Sequence, residues 1–365
     1  MDIAIIGGGP SGLYLANLLK DKYDLKVFEE HGLVGYPVHC TGLVSEDVLK
    51  FTEKRVILNK IKGAIIHISN ESLAIEKKGT AAYVIDRKEF DRGFYENVSD
   101  NVLKNERVKS IKRSGDKYII ESNNTYQSKM VIGADGARSF VRNMVIKNEI
   151  KLLNGIQFVI KNKNFMGEYV HVYLDRKYSD GFFSWIVPRE DDILIGLATY
   201  DNEPISRIKL FIKNTVGDIV PDMKVAGQIP IGFLPIHSKE NIYLTGDAAL
   251  FVKATSGGGL YYGLRGSQIL AETIIENESY EKNLKSMLKE LKMDYLIHRI
   301  FSKMDDKDLL KLILTIKKEG FIDLINEYGD IDRPSLISRK IIFNGKFIYF
   351  YPFLLKIIIK SILMF

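Results

Sequence analysis

Asp2-Ile3-Ala4-Ile5-Ile6 is a short, almost wholly apolar run, and Gly7-Gly8-Gly9-Pro10-Ser11-Gly12 breaks it with a glycine-rich turn from which Leu13 to Lys20 continues as a helix. An apolar run of this length ended by glycines reads as a buried strand. A second strand at 24–29 completes a βαβ unit of about 30 residues. Gly7, Gly9 and Gly12 have the G-x-G-x-x-G spacing. Gly7 permits the tight turn out of the strand, Gly9 lets the backbone approach a pyrophosphate, and Gly12 allows close helix-to-strand packing. The helix start adds free N–H groups and the positive end of its dipole. Glu29 lies 22 residues after Gly7, at the end of the second strand, where a carboxylate accepts from ribose hydroxyls. Together these point to a dinucleotide site. A carboxylate at 29 disfavours a 2′-phosphate, so FAD or NAD fits better than NADP.

Two later segments separate FAD from NAD. Val131-Ile132-Gly133-Ala134-Asp135-Gly136 is a strand ending in a small-residue turn, and Leu244-Thr245-Gly246-Asp247-Ala248-Ala249 is another strand followed by Gly-Asp. Asp135 or Asp247, in a glycine turn, can accept from a ribityl or ribose hydroxyl. Gly257-Gly258-Gly259 then opens a long helix to Ile275, whose first amides can receive the pyrimidine end of an isoalloxazine ring. A simple NAD dehydrogenase needs no such contact region so late in the chain.

The rest of the sequence excludes several classes. With 365 residues, 46% hydrophobic and 27% charged, the chain is globular and long enough for about two domains. Its single cysteine, Cys40, allows no intrachain disulfide, which fits a reducing cytoplasm. Met1-Asp2 enters an apolar strand without a basic-then-apolar leader, so secretion is not expected. The six histidines have no metal-ligand spacing, no metal is expected, and no Gly-x-Ser-x-Gly elbow occurs. The formal charge of +6 resides in residues 333–365, which hold six basic groups and no acid; the remainder is balanced and has no nucleic-acid footprint.

The resulting fold class is α/β. A Rossmann-like dinucleotide-binding part is expected at 1–150 and 228–275. A mostly antiparallel β-rich substrate domain at 151–227 is inserted into it, with alternating runs at Glu168 to Leu174, Gly181 to Val187 and Ile193 to Tyr200. Residues 276–365 read as a helical C-terminal region with an apolar-basic tail. In 347–365, Lys356 and Lys360 mark one polar stripe on an otherwise apolar helix, a pattern suited to a membrane interface. The expected location is the cytoplasm, peripheral on the membrane surface.

The sequence resembles the FAD-dependent geranylgeranyl reductase family, within the flavoproteins of glutathione-reductase/aromatic-hydroxylase fold. The resemblance spans about residues 2–275. It rests on the Gly7-Gly9-Gly12 turn with Glu29, Tyr36-Pro37-Val38-His39-Cys40-Thr41-Gly42, and Asp86-Arg87-x-x-Phe90-Asp91, together with Gly133-Ala134-Asp135-Gly136 and Gly246-Asp247-Ala248-Ala249 with its triple glycine. It implies an extended FAD. Ser11 and Glu29 would lie by the pyrophosphate and adenosine ribose, with Arg87 and Val108 (in a strand expected at 107–112) toward the adenosine side. Cys40, Thr41 and Gly42 would line the flavin loop, and Asp247, Gly258, Gly259 and Leu260 the pyrophosphate–ribityl–flavin end.

The family carries a segment resembling Pro-x-x-Tyr-x-Trp-x-Phe-Pro. Here Trp185 and Pro188 match, while Asp180, Phe183 and Val187 replace the first proline, the tyrosine and the second aromatic. On a strand, Phe183, Trp185 and Val187 share a face, either an apolar wall for an isoprenoid chain or ordinary sheet core. An alkene needs a proton at one carbon and a hydride at the other. A thiol with an ordinary pKa of about 8.5 is a weak acid for that task, so Cys40 is a catalytic candidate that can equally orient substrate or water. The resemblance implies reduction of isoprenoid C=C bonds, in geranylgeranyl chains of archaeal-type membrane glycerophospholipids. A monooxygenase of the same fold, a quinone or polyprenyl reductase, and a lipid-binding flavoprotein without activity stay open. The electron donor, NAD(P)H or a redox protein, leaves no second fingerprint.

Overall fold

The structure, a computed structural model, describes residues 1–333 and 336, apart from 55, 162–164, 166, 220, 222, 319 and 320. Its first half is built on a six-stranded sheet. The strand order is Ser238–Lys239, Ile242–Leu244, Met130–Gly133, Ile3–Ile6, Leu25–Glu29, Val102–Lys104, and every pairing is parallel except the first. Ile3, Ala4, Ile5 and Ile6 are all buried, as a central strand covered on both faces requires. Helices Pro10–Leu19 and Leu260–Glu276 pack together beside the sheet, and a small antiparallel sheet sets Tyr126 edge-on against Phe28 at 5.0 Å. Helix Arg87–Glu96 starts where Asp86 accepts from the N–H groups of Lys88 and Glu89.

The second large sheet has seven strands, in the order Met223–Ile231, Lys151–Ile160, Ile193–Thr199, Ser184–Pro188, Tyr169–Tyr173, Gly63–Ile68, Glu71–Glu76. It is antiparallel except where Gly63–Ile68 runs parallel to Tyr169–Tyr173. Residues 151–227 therefore do not complete it alone: a hairpin from far upstream supplies two strands. Alternation divides its faces. Ile156, Ile186, Ile195 and Leu197 pack under helix Pro204–Thr215 with Ile208 and Phe211. On the other face Val159, Val170, Val187 and Leu194 meet Ile61, Ala82 and Val84.

Among the described residues three helices follow, Tyr280–Phe301, Asp306–Lys318 and Phe321–Tyr328. Leu309 and Ile313 cover Ile68, Leu73 and Leu174, and Asn326 Oδ1 accepts from the N–H of Glu76 at 2.9 Å. Among the described residues no helix is long and apolar enough to cross a membrane. The apolar-basic stripe expected at 347–365 lies outside the described residues.

Candidate functional site

One cavity of about 1110 Å³ lies between the two large sheets. Pockets for single small ligands reach about 1,000 Å³, so this volume admits a dinucleotide together with part of a second molecule. The sheet order fixes its layout. Strand Leu25–Glu29 and strand Ile242–Leu244 flank the central pair, three strand spacings apart, about 14 Å. Glu29, the turn after Ile6, the turn after Gly133 and the turn after Leu244 all stand at the C-terminal edge of the parallel strands, where ligands of such sheets bind.

The glycine turn makes the cradle. Gly7 has φ +111°, and a Cβ there would lie 2.3 Å from the Ala134 carbonyl oxygen. A Cβ at Gly12 would come within 2.1 Å of Gly7 O, so this position serves packing and lies outside the cavity lining. Gly9 is different: a Cβ there would meet nothing within 4 Å and would project into open space. The helix after it has no side-chain cap, and Pro10 at its start brings no N–H, which leaves first-turn amides for a ligand. Ser11 lines the cavity, its hydroxyl lodged against Gly246 and Gly263. Glu29 is 8% exposed and holds the turn itself, accepting from Gly8 N–H at 2.9 Å and His31 N–H at 2.8 Å.

The two aspartates in glycine turns differ. Asp135 accepts from Ser139 Oγ at 2.5 Å and from the N–H groups of Phe140 and Val141 at 2.7 and 3.1 Å, closing its own loop. Both of its oxygens are thus engaged within the chain, while the residue itself lines the cavity. Asp247 lines the cavity, and its carboxylate has no hydrogen bond among the described residues. A Cβ at Gly259 would lie 2.8 Å from Asp247 Oδ1, so the glycine gives the carboxylate its space. Burial raises the Asp247 pKa, partly offset by the Arg87 and Arg142 guanidinium groups. A half-buried, unengaged acceptor facing a large cavity suits a ligand hydroxyl.

Arg87 is held by Asp91, donating from Nη2 at 3.0 Å and from Nε at 3.3 Å. Burial opposes its charge, but Asp91 and the neighbouring Cys40 more than restore it and push the pKa up. Cys40 Sγ accepts from Gly42 N–H at 3.3 Å, and Gly42, with φ +76°, lies behind the loop rather than in the cavity lining. Thr41, Gly258 and Leu260 line the cavity. Val108 also lines it, but from the connection before strand Ser110–Ser114, not from a strand at 107–112; Glu106 N–H is held by the Glu29 carbonyl at 2.9 Å and delays pairing.

Phe183, Trp185 and Val187 all line the cavity. The indole packs over its cross-strand partner Gly196, where a Cβ would sit 2.6 Å from the ring. Val170 and Val172 extend the same apolar wall. Gly196 was not singled out from the sequence, although a glycine within Ile193-Leu194-Ile195-Gly196-Leu197 signals close approach of a neighbour. Lys253, also missed, lines the cavity beside the triple glycine. Among the described residues no group of three or more His, Cys, Asp or Glu is placed to hold a metal ion.

The open cradle at Gly9, the unengaged Asp247 and the span from Glu29 to the triple glycine fit FAD. Residues Gly7 to Ser11, Glu29, Asp247 and Gly257 to Leu260 would hold it. A parallel sheet with its glycine turn, joined to a second sheet over one cavity, defines a flavoprotein of aromatic-hydroxylase fold.

No protein-family model matches the chain. An uncharacterized protein of Methanocaldococcus jannaschii is 33% identical, over 93% of this chain and 94% of its own. A digeranylgeranylglycerophospholipid reductase of Methanosarcina mazei is 24% identical, over 94% of this chain and 96% of its own. Among solved structures, a geranylgeranyl bacteriochlorophyll reductase-like protein from Thermoplasma acidophilum superposes with a TM-score of 0.79 at 21% identity, covering 96% of this chain and 98% of that one. The chain belongs to the geranylgeranyl reductase family, among its digeranylgeranylglycerophospholipid reductase-like members.

Proposed function

We propose that this protein is an FAD-dependent oxidoreductase that saturates isoprenoid C=C bonds, with geranylgeranyl chains of archaeal-type membrane glycerophospholipids as substrate. One observation carries the reading: a single cavity joins the dinucleotide cradle at Gly7 to Ser11 to an apolar wall of Phe183, Trp185, Val187, Val170 and Val172. The reductase names of relatives that match almost the whole chain support it.

FAD, once reduced, supplies the hydride for one alkene carbon. The protein has three tasks beside it. The wall of Phe183, Trp185 and Val187 binds the chain through apolar burial, about 25 cal/mol per Å² removed from water, and keeps water off the reacting carbons. Glu29 and Asp247 orient the cofactor through its hydroxyls. The loop of Cys40 and Thr41 stands where the second carbon takes its proton, either from the thiol or from a water it holds. The tail at 347–365 would dock on an anionic membrane surface that presents the lipid, and the electron donor would be NAD(P)H or a redox protein.

The test is mass spectrometry of a geranylgeranylated glycerophospholipid after incubation with the purified, FAD-loaded, chemically reduced protein. Gains of hydrogen pairs without oxygen establish the reductase and count the bonds. Gains of single oxygen atoms, only with oxygen present, move the assignment to a monooxygenase. No change sinks this lipid as substrate.

A further inference from the structure

A buried ion pair stands beside the triple glycine and has no part in the reading above. Lys253 is 6% exposed and Asp332 3%. The ammonium donates to Asp332 Oδ1 at 2.6 Å and to the Ile331 carbonyl at 2.8 Å. Lys253 lines the cavity, whereas Asp332 lies behind it, outside the lining. The lysine is part of the glycine turn: its N–H donates to the Gly258 carbonyl at 3.1 Å, and its own carbonyl accepts from Gly257 N–H at 2.7 Å. A Cβ at Gly258 would lie 3.0 Å from Lys253 Cε and 3.4 Å from Nζ, so the missing side chain makes room for the ammonium. Asp332 is fixed in turn, its N–H held by Asp330 Oδ1 at 2.8 Å and its carbonyl accepting from Tyr262 Oη at 2.5 Å. The nearby Asp294 carboxylate is taken by the N–H and hydroxyl of Thr255, which leaves Asp332 as the direct partner of Lys253.

Such a pair adds little to stability, because apolar residues of similar volume commonly do as well. Its place at the cavity surface, beside the triple glycine, asks instead for a charged or charge-gaining ligand. A flavin is one. Two electrons and one proton convert the neutral oxidised ring, Fl, into the anion FlH⁻, whose charge rests on the pyrimidine portion. The triple glycine is where that portion is received if the FAD reading above holds, and this inference rests on that reading. A cation there favours the reduced form.

We propose that Lys253 sets the reduction potential of the bound flavin, and that Asp332 is the positioning residue that aims the ammonium and offsets part of its charge. The C-terminal segment that carries Asp332 thereby takes part in flavin chemistry although it lies far from the nucleotide half in sequence.

The test is the midpoint potential of FAD-loaded protein, reduced slowly with dithionite against redox dyes. FAD uptake is first confirmed by fluorescence quenching. Lys253→Met is expected to lower the potential, and Asp332→Asn to raise it. Each is expected to change the ratio of reduced to oxidised flavin at fixed potential about tenfold, or about 30 mV for a two-electron couple. Opposite signs are the mark of charge, since a purely structural role moves both variants the same way. Shifts of one sign, or none, overturn the inference. If a single variant fails to fold, K253M/D332L keeps the volume without either charge. Its potential then falls below wild type, because Lys253 is the nearer charge, and an unchanged or raised value overturns the proposal. Wild-type protein that takes up no FAD overturns the proposed function and this inference together. Flavin taken up with unmoved potentials overturns the inference alone.

Discussion

Gly9→Ala and Gly12→Ala differ by one methyl group each, three residues apart, and are expected to fail in different ways. Gly9 has φ −77° and ψ 176°, a conformation that alanine adopts freely, and its Cβ would touch nothing. The apo protein is therefore expected to keep its stability or gain about 0.4–1 kcal/mol from a less flexible unfolded chain. The same methyl occupies the space above the helix start. If it displaces a pyrophosphate enough to lose one charge-assisted hydrogen bond, about 1.5–3 kcal/mol goes, and FAD affinity falls about tenfold to a hundredfold. Gly12→Ala places its Cβ 2.1 Å from a backbone oxygen of Gly7, which is itself pinned against Ala134. Overpacking of this kind costs about 1–3 kcal/mol or more, at roughly 1–2 °C per kcal/mol in a chain this long. Thermal melts of apo protein and fluorescence titration with FAD separate the two. Wild-type FAD affinity in Gly9→Ala, or a wild-type melt in Gly12→Ala, would refute the division between cradle and packing.

Three further outcomes are expected. Gly196→Ala drives a methyl into the Trp185 indole and costs about 1–3 kcal/mol in urea denaturation; in a Trp185→Phe background the cost falls, a coupling of about 1 kcal/mol or more in a double-mutant cycle. His298 is 2% exposed, and Nε2 meets Tyr200 Oη at 2.8 Å. Burial first, then Arg176 and Lys151, lower its pKa from 6.5 to about 4. The unfolded chain thus binds a proton here between about pH 6.5 and 4 that the native state refuses, so stability falls as pH drops through that window. At pH 4.5 the loss from this group is about 2–3 kcal/mol relative to pH 7, and His298→Gln is expected to remove that share of the slope in denaturation measured at both pH values. Asp332→Asn leaves a buried ammonium without its counterion and is expected to cost about 3–5 kcal/mol, most of which K253M/D332L restores; chemical denaturation of the apo proteins reads both.

The nucleotide half was legible because its determinants are local. Strand, glycine turn, helix and Glu29 follow one another within about 30 residues, and helix Arg87–Glu96 has its cap, Asp86, immediately before it. Strands Gly63–Ile68 and Lys117–Glu121 could also be picked out as short apolar runs. Their partners could not. The pairing of Gly63–Ile68 with Tyr169–Tyr173 is set by two apolar faces meeting in three dimensions, and neither segment carries a mark for the other. Asp135 shows the opposite limit: its glycine turn was visible, but the hydroxyl and two amides that occupy its oxygens depend on the path of residues 139–141. Lys253 looks in sequence like any solvated lysine, since its ion-pair partner, Asp332, lies in another part of the chain.

The parallel stitch between Gly63–Ile68 and Tyr169–Tyr173 also bears on how the chain is made. The upstream hairpin, Gly63 to Glu76, emerges from the ribosome with an unfilled edge, and the strand that completes it follows about 100 residues later, which at 5–20 residues per second is a wait of about 5–20 s. Over that interval the edge, with Ile65, Ile66 and Ile68 along it, is a template for any extended chain nearby. The geometry that roofs the cavity in the finished protein thus exposes a sticky strand during synthesis, and heterologous yield is expected to depend on translation speed and chaperone supply more than on final stability.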